Sequence, residues 1–356
     1  MKFLLYIVFL GGAIALGMFP SLRKPRPAFT KIITIALISI VVVLALYPPT
    51  IGTIADVVRA KAAHLENQKL NVVLQPDWNT VKQTNNAFSA TTYDGIAVTA
   101  QLGESSLYSS NDLFLALQSL QSEQNILAQV HATDSANVYA IDKIIGAKPA
   151  IWLPYIPALE ERARIMYFHV PMSWVAFLAY FVTLICSIQY LRTKNLDWEI
   201  QAASSAAIGT LFCALAYITG SVWAKFNWGK FYSGDPREIS VLILLLIYGA
   251  YFVLRGSVDG NERRARLTSV YAILGCVAAM FLMFIVPRIM QGLHPGSSDD
   301  KNIGPLASMD KDAIDLTKAV IFSMSLGGFT LLYFWLLNLG IRLRMIEEKV
   351  LHHEAV

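Results

Sequence analysis

Long apolar runs constrain this chain before any other feature does. A helix needs about 20 residues to cross the hydrocarbon core, and unpaired backbone groups are not tolerated there, so such runs must be helical. The sequence offers about seven: Phe3–Phe19, Ile32–Leu46, Phe168–Leu191, Ala202–Trp223, Pro236–Leu254, Leu267–Val286 and Ala319–Ile341. Only 15% of the 356 residues are charged, which excludes a soluble globular protein. The expected fold is an all-α polytopic membrane protein of about seven transmembrane helices with a small extracytoplasmic α/β insert. The expected surroundings are the lipid bilayer, with no nucleic acid as a partner.

Basic residues orient the spans. Lys2 precedes the first run, whereas Arg23, Lys24, Arg26 and Lys31 follow it, and no small-residue cleavage site is present. That polarity predicts a retained anchor with its N-terminus outside the cytoplasm. Arg192 and Lys194, then Arg255, Arg263, Arg264 and Arg266, and finally Arg342, Arg344 and Lys349 fall on the same side as the first cluster if the spans alternate strictly. That side is the cytoplasm. Residues 51–166, the stretch near 223–235 and residues 288–317 then share the outer face. The implied organisation is 1–50 with two N-terminal transmembrane helices, 51–166 as an extracytoplasmic insert and connector, 167–345 as the transmembrane core, and 346–356 as a cytoplasmic tail.

The insert is polar. Alternation over Gly95–Leu102 suggests a strand, and the leucine spacing from Asn111 to Val130 suggests a helix capped by Ser109 or Ser110. It carries no nucleotide motif or metal spacing. Cys186, Cys213 and Cys276 lie inside apolar runs and read as small buried hydrophobes. His64 and His131 in the insert, and His352 and His353 in the tail, read as bland surface residues.

Chemistry concentrates on the outer face. Trp223–Asp235, WAKFNWGKFYSGD, reads as a short loop between two spans. Trp223, Phe226, Trp228, Phe231 and Tyr232 alternate there with Lys225 and Lys230, and aromatic planes beside cations suit a flat ligand with negative groups. An interfacial aromatic belt would have the same composition. Asp235-Pro236-Arg237-Glu238 resembles a capping box, which accounts for Asp235 structurally, while a helix N-terminus aimed at the loop also favours anions. His169, in MYFHVPMSW, opens the third span, with Pro171 suited to the first turn of its helix. His294, in PRIMQGLHPGSS, follows the sixth span. Imidazoles on either side of a porphyrin are one way to hold haem, and its propionates are anions that Lys225, Lys230 and Arg237 could pair with. Each histidine also has a plain structural reading, as an interfacial or loop residue.

From Arg162 to His294 the sequence resembles the haem-handling protein C (CcmC) family of the cytochrome c maturation system. The resemblance rests on ARIMYFHVPMSW, then ITGSVWAKFNWG, then the loop in place of a tryptophan-rich WGxWWxWD signature, then VPRIMQGLHPGSS. It implies a core of about six spans and a b-type haem held transiently at the outer face of a bacterial inner membrane. It further implies loading of a periplasmic haem chaperone, assisted by ABC transporter subunits and other cytochrome c maturation proteins. By position, His169 and His294 match the family's axial histidines, and Trp228, Gly229 and Asp235 match fixed points of the signature. Phe231, Tyr232 and Gly234 stand where tryptophans are expected, and Gly234 offers no ring at all. The first span and the insert lie outside the family pattern.

The leading expectation is therefore a haem-binding transfer protein and not an enzyme. A cytochrome c synthetase-type subunit that attaches haem to apocytochrome shares the Asp-Pro-Arg-Glu. A family member that has lost haem binding and acts only in assembly is suggested by Phe231, Tyr232 and Gly234. A cytochrome b-type electron-transfer subunit would need histidine pairs facing each other within the helices, and none of the seven spans has a mid-membrane histidine.

Overall fold

The computed structural model describes residues 2–62, 69–81, 86–104, 107–121, 123–147, 151–154, 160–294, 297–298 and 316–354. The chain divides into two compact units, one of residues 46–163 and one of 1–45 with 164–356. His64 and the side chains of Lys349, His352 and His353 lie outside what is described.

Helices α1 (Lys2–Met18) and α2 (Ala28–Leu46) begin the helical unit. The 46–163 unit follows, with β1 (Thr50–Ile51), α3 (Ile54–Ala62), β2 (Leu70–Pro76), α4 (Trp78–Val81), β3 (Ala87–Thr92), β4 (Ala97–Leu102), α5 (Ser110–Ser119), β5 (Ile126–Ala132), β6 (Val138–Ala147) and β7 (Leu153–Pro154). Five of these strands close into a barrel in the order β2-β3-β4-β6-β5, in which only β4 and β6 run parallel. Closure removes exposed sheet edges. Alternate residues fill the interior: Val72 and Leu74, Phe88 and Ala90, Val98, Ala100 and Leu102, as a two-residue strand period requires.

The helix expected over Asn111–Val130 is half the predicted length. Ser109 caps α5 in a reciprocal capping box with Asp112, but the helix ends at Ser119 and residues from Ile126 onward form β5. The leucine spacing that suggested one helix belongs to two elements, because Leu113 and Leu117 pack on the same barrel core as Ile126, Ala128 and Val130. His131 is not a bare surface residue. Its Nδ1 lies 2.7 Å from Oδ2 of the buried Asp142, which also takes Lys69 Nζ at 3.1 Å.

After a 3₁₀ turn (Glu160–Ile165) the helical unit resumes with α6 (Met166–Thr193), α7 (Leu196–Trp228), α8 (Pro236–Ser257) and α9 (Asn261–Met280). A π-helical turn (Phe281–Ile285) leads into α10 (Val286–Ile289), and α11 (Leu316–Glu354) is the last described helix. The π turn falls just before Pro287, where the α ladder has to be interrupted. Among the described residues, six helices are long and apolar enough to cross a membrane, and α1, with 17 residues, is a shorter apolar helix. It packs along α11, where Tyr6 meets the Phe322 ring edge-on at 5.2 Å.

The bundle core is aromatic. Tyr180 of α6 stacks on Tyr248 of α8 at 3.6 Å, and both are buried with Tyr251, Tyr333 and Phe334. At the end carrying the basic residues, Arg255 pairs with the buried Glu199, Arg23 pairs with Asp197 at 2.7 Å, and Asn338 of α11 donates to the carbonyls of Leu22 and Lys24. The last contacts fasten the α1–α2 link to α11.

Pro171 is not in the first turn of its helix as expected, because α6 starts at Met166 and runs through it. Proline has no N–H for the carbonyl four residues back, which belongs to Tyr167. The buried Ser325 of α11 donates its hydroxyl to that carbonyl instead. The irregularity thus becomes a contact between α6 and α11.

Candidate functional site around His169 and His294

Helix α7 organises the site. Nothing in its sequence breaks a helix before Gly229, so the helix extends to Trp228, five residues beyond the expected end of the span at Trp223. The aromatic stretch is therefore part helix, and only Gly229–Asp235 forms a loop. Gly229 ends the helix in a left-handed conformation with φ 78°, the usual role of a C-terminal glycine. Lys225 donates to the Gly229 carbonyl at 2.9 Å and sits over the Phe231 ring at 5.7 Å.

One stretch of α7 receives both histidines. His169 of α6 packs on Gly220 so closely that a Cβ there would come within 2.8 Å of its Cε1. His169 Nδ1 lies 3.1 Å from Thr219 Oγ1. One turn further along, about 5 Å of rise, Trp223 lies 5.7 Å from His294 by ring centroids. Trp228 meets the same imidazole edge-on at 4.8 Å and Trp223 at 5.0 Å. His294 and Arg237 both lie within electrostatic range of His169.

Asp235 holds this arrangement together, and it does more than the expected helix cap. Its Oδ1 accepts the Arg237 N–H at 2.8 Å, with Pro236 in the first turn of α8. Its Oδ2 accepts the backbone N–H groups of Leu293 at 2.7 Å and His294 at 3.3 Å. His294 Nδ1 lies 2.8 Å from Oδ1, off the line of a straight hydrogen bond. Burial pushes the Asp235 carboxyl up, but His294 and the N–H groups of Arg237 and Leu293 outweigh burial and hold it at about 2. The close approach needs Gly292, where a Cβ would come within 2.8 Å of Oδ2.

The reciprocal half of the expected capping box is absent. Glu238 accepts from the Ser233 N–H at 2.8 Å and the Ser233 hydroxyl at 2.9 Å, not from Asp235. It thereby closes the loop two residues upstream of the cap. Gly234, the position with no ring, has φ 76°. That left-handed conformation suits glycine and strains residues with a side chain.

The sequence-predicted residues thus fall into two groups. His169, His294, Trp223, Trp228, Asp235 and Arg237 converge, whereas Phe231 and Tyr232 are 60% and 50% exposed and Lys230 is exposed beside them. Thr219, Gly220, Gly292 and Arg288, whose charge acts on Arg237, also belong to the site and were not singled out. The signal available for them is their place inside ITGSVW and VPRIMQGLH, beside residues already marked. Two imidazoles, indole faces and two guanidinium groups form a donor set that fits a planar iron porphyrin with anionic side groups. Among the described residues, no cluster of three or more His, Cys, Asp or Glu could hold a bare metal ion.

Comparison with known proteins agrees with this site. A sequence model described as heme exporter protein C matches residues 130–355. Among similar proteins, the heme exporter protein C of Paracoccus denitrificans is 31% identical over 164 residues, covering 46% of this chain and 68% of that protein. That of Bradyrhizobium diazoefficiens is 30% identical over 187 residues, covering 52% of this chain and 68% of that protein. That of Rhodobacter capsulatus is 30% identical over 145 residues, with 41% and 60% covered. The chain therefore spans only about two thirds of the length of these relatives. With more than half of its residues matched, the chain belongs to the heme exporter protein C family.

Proposed function

We propose that this protein binds haem between His169 and His294 and passes it to a periplasmic haem chaperone during cytochrome c maturation, as a transfer component and not an enzyme. One observation carries the reading: two histidines 125 residues apart meet the same helix within one stretch, His169 at Thr219 and Gly220 and His294 at Trp223 and Trp228. The imidazoles supply axial nitrogens, the indoles a stacking wall, and Arg237 with Arg288 the cations for propionates. The haem is b-type, held without covalent attachment and released to the acceptor. As iron porphyrin it supplies the redox chemistry of the maturing cytochrome, while this chain binds, orients and releases it.

The site lies on the extracytoplasmic side of a bacterial inner membrane in this reading. The support is charge asymmetry, since Arg23, Arg26, Arg192, Arg255 and Arg263 flank the helix ends away from the histidines. Counting α1 gives about seven spans and places the C-terminus in the cytoplasm. ABC transporter subunits and further maturation proteins are the expected partners, as the relatives' name of exporter suggests.

Protein purified from haem-replete membranes should carry a Soret band, and that band should shift in either His169→Ala or His294→Ala and vanish in the double variant. A colourless wild-type preparation would overturn the reading.

A further inference from the structure

The structure assigns Thr219 and Asp235 as positioning residues that fix which nitrogen each histidine presents: both hold the proton on Nδ1 and leave the lone pair on Nε2. The assignment deepens the haem reading, since an imidazole binds iron through an unprotonated nitrogen, and the other nitrogen's partner sets which one that is.

For His169 the argument is one of counting hydrogens. Thr219 Oγ1 lies 2.8 Å from the Leu215 carbonyl and 3.1 Å from the Ala216 carbonyl. A threonine hydroxyl in a helix commonly back-bonds to such carbonyls, and the short 2.8 Å contact to Leu215 draws its single hydrogen there. Toward His169 Nδ1, at 3.1 Å, the same oxygen offers only a lone pair. With the hydroxyl hydrogen directed to the carbonyls, Nδ1 acts as the donor to Thr219 Oγ1 and Nε2 keeps its lone pair.

For His294 the acceptor is a carboxylate. Asp235 takes three backbone N–H groups, those of Arg237, Leu293 and His294, which fixes both oxygens as acceptors. Oδ1 lies 2.8 Å from Nδ1, off the line of a straight hydrogen bond, so it acts through its charge, which attracts a proton on Nδ1 and repels a lone pair there. The polar contacts placed on a particular ring nitrogen, Thr219 Oγ1 for His169 and Asp235 Oδ1 for His294, both fall on Nδ1. The two histidines come from different elements, and two unrelated devices give them the same tautomer.

The experiment reads the tautomer in the full-length, haem-free protein. ¹⁵N-histidine labelling with long-range ¹H–¹⁵N correlation at neutral pH distinguishes Nδ1–H from Nε2–H, with signals assigned by the single histidine variants. Both rings should show Nδ1–H in about tenfold excess or more. Thr219→Val should abolish the excess at His169 and leave His294 unchanged, and Thr219→Ser should restore it. Asp235→Asn, which still supplies a good helix cap, should shift His294 toward Nε2–H and leave His169 unchanged. Gly292→Ala should resemble Asp235→Asn at His294 without altering either partner side chain. Nε2–H at either ring in the wild type, or equal responses of both rings to either variant, would overturn the assignment. Correct tautomers in a protein that takes up no haem would instead sink the proposed function and leave the assignment standing.

Discussion

Asp235 and His294 meet at 2.8 Å although they belong to separate segments of the chain, and the same carboxylate caps α8. The start of a membrane helix and the placement of a candidate iron ligand are thereby one structural event. Moving the end of α8 moves His294.

The coupling has a pH signature. Asp235 is held at about 2, below the ordinary 3.8. A depressed carboxyl stabilises the folded state above the unfolded value and loses that contribution as pH falls through the folded one. Stability should therefore drop between about pH 4 and pH 2, by on the order of 1–2 kcal/mol from this group after allowance for screening. Melting temperatures of wild type and Asp235→Asn in detergent across that range check it. The variant should be less stable at pH 6, and the difference should shrink toward pH 2.

Gly220 makes room for His169. A methyl there would sit 2.8 Å from Cε1, below any normal contact, whereas Gly249 in α8 has nothing within 4 Å of its Cβ position. Gly220→Ala should displace the imidazole and cut haem retention several-fold, read as Soret absorbance per protein after purification. Gly249→Ala should leave it unchanged. Both exchange a helical glycine for alanine, so helix propensity, about 1 kcal/mol in favour of Ala, is common to both.

The missing ring at Gly234 looks like a defect in the sequence and reads differently in the structure. Its φ of 76° is open to glycine and costs other residues about 1–2 kcal/mol. Gly234→Trp should therefore lower the melting temperature by a few degrees and fail to raise haem retention. A gain in retention without loss of stability would show that the loop can take up the ring in another conformation.

Much of this architecture was legible from residue order. The apolar runs marked the helices because a membrane demands long unbroken ones, and His169, His294, Trp223 and Trp228 stood out as unusual residue types at span ends. The end of α7 was not legible, because Trp223–Trp228 is polar enough to look like a loop while containing nothing that stops a helix before Gly229. The second half of Asn111–Val130 was misjudged because leucine spacing does not distinguish a helix followed by a strand from one longer helix. Thr219, Gly220 and Gly292 were invisible as chemistry. Their roles are to accept one proton and to leave space, and both depend on what folds against them.

Ser325 and Pro171 give a test of the bundle itself. Pro171 cannot donate to the Tyr167 carbonyl, and Ser325 does so from α11. Ser325→Ala removes that donor from a buried carbonyl and should destabilise the protein by about 1–3 kcal/mol. In a Pro171→Ala background the helix regains its own N–H, so the same serine change should cost distinctly less. The coupling from a double-mutant cycle, read from melting temperatures of the four proteins, should be about 1 kcal/mol. Additive losses would mean that the α6 backbone is not what Ser325 serves.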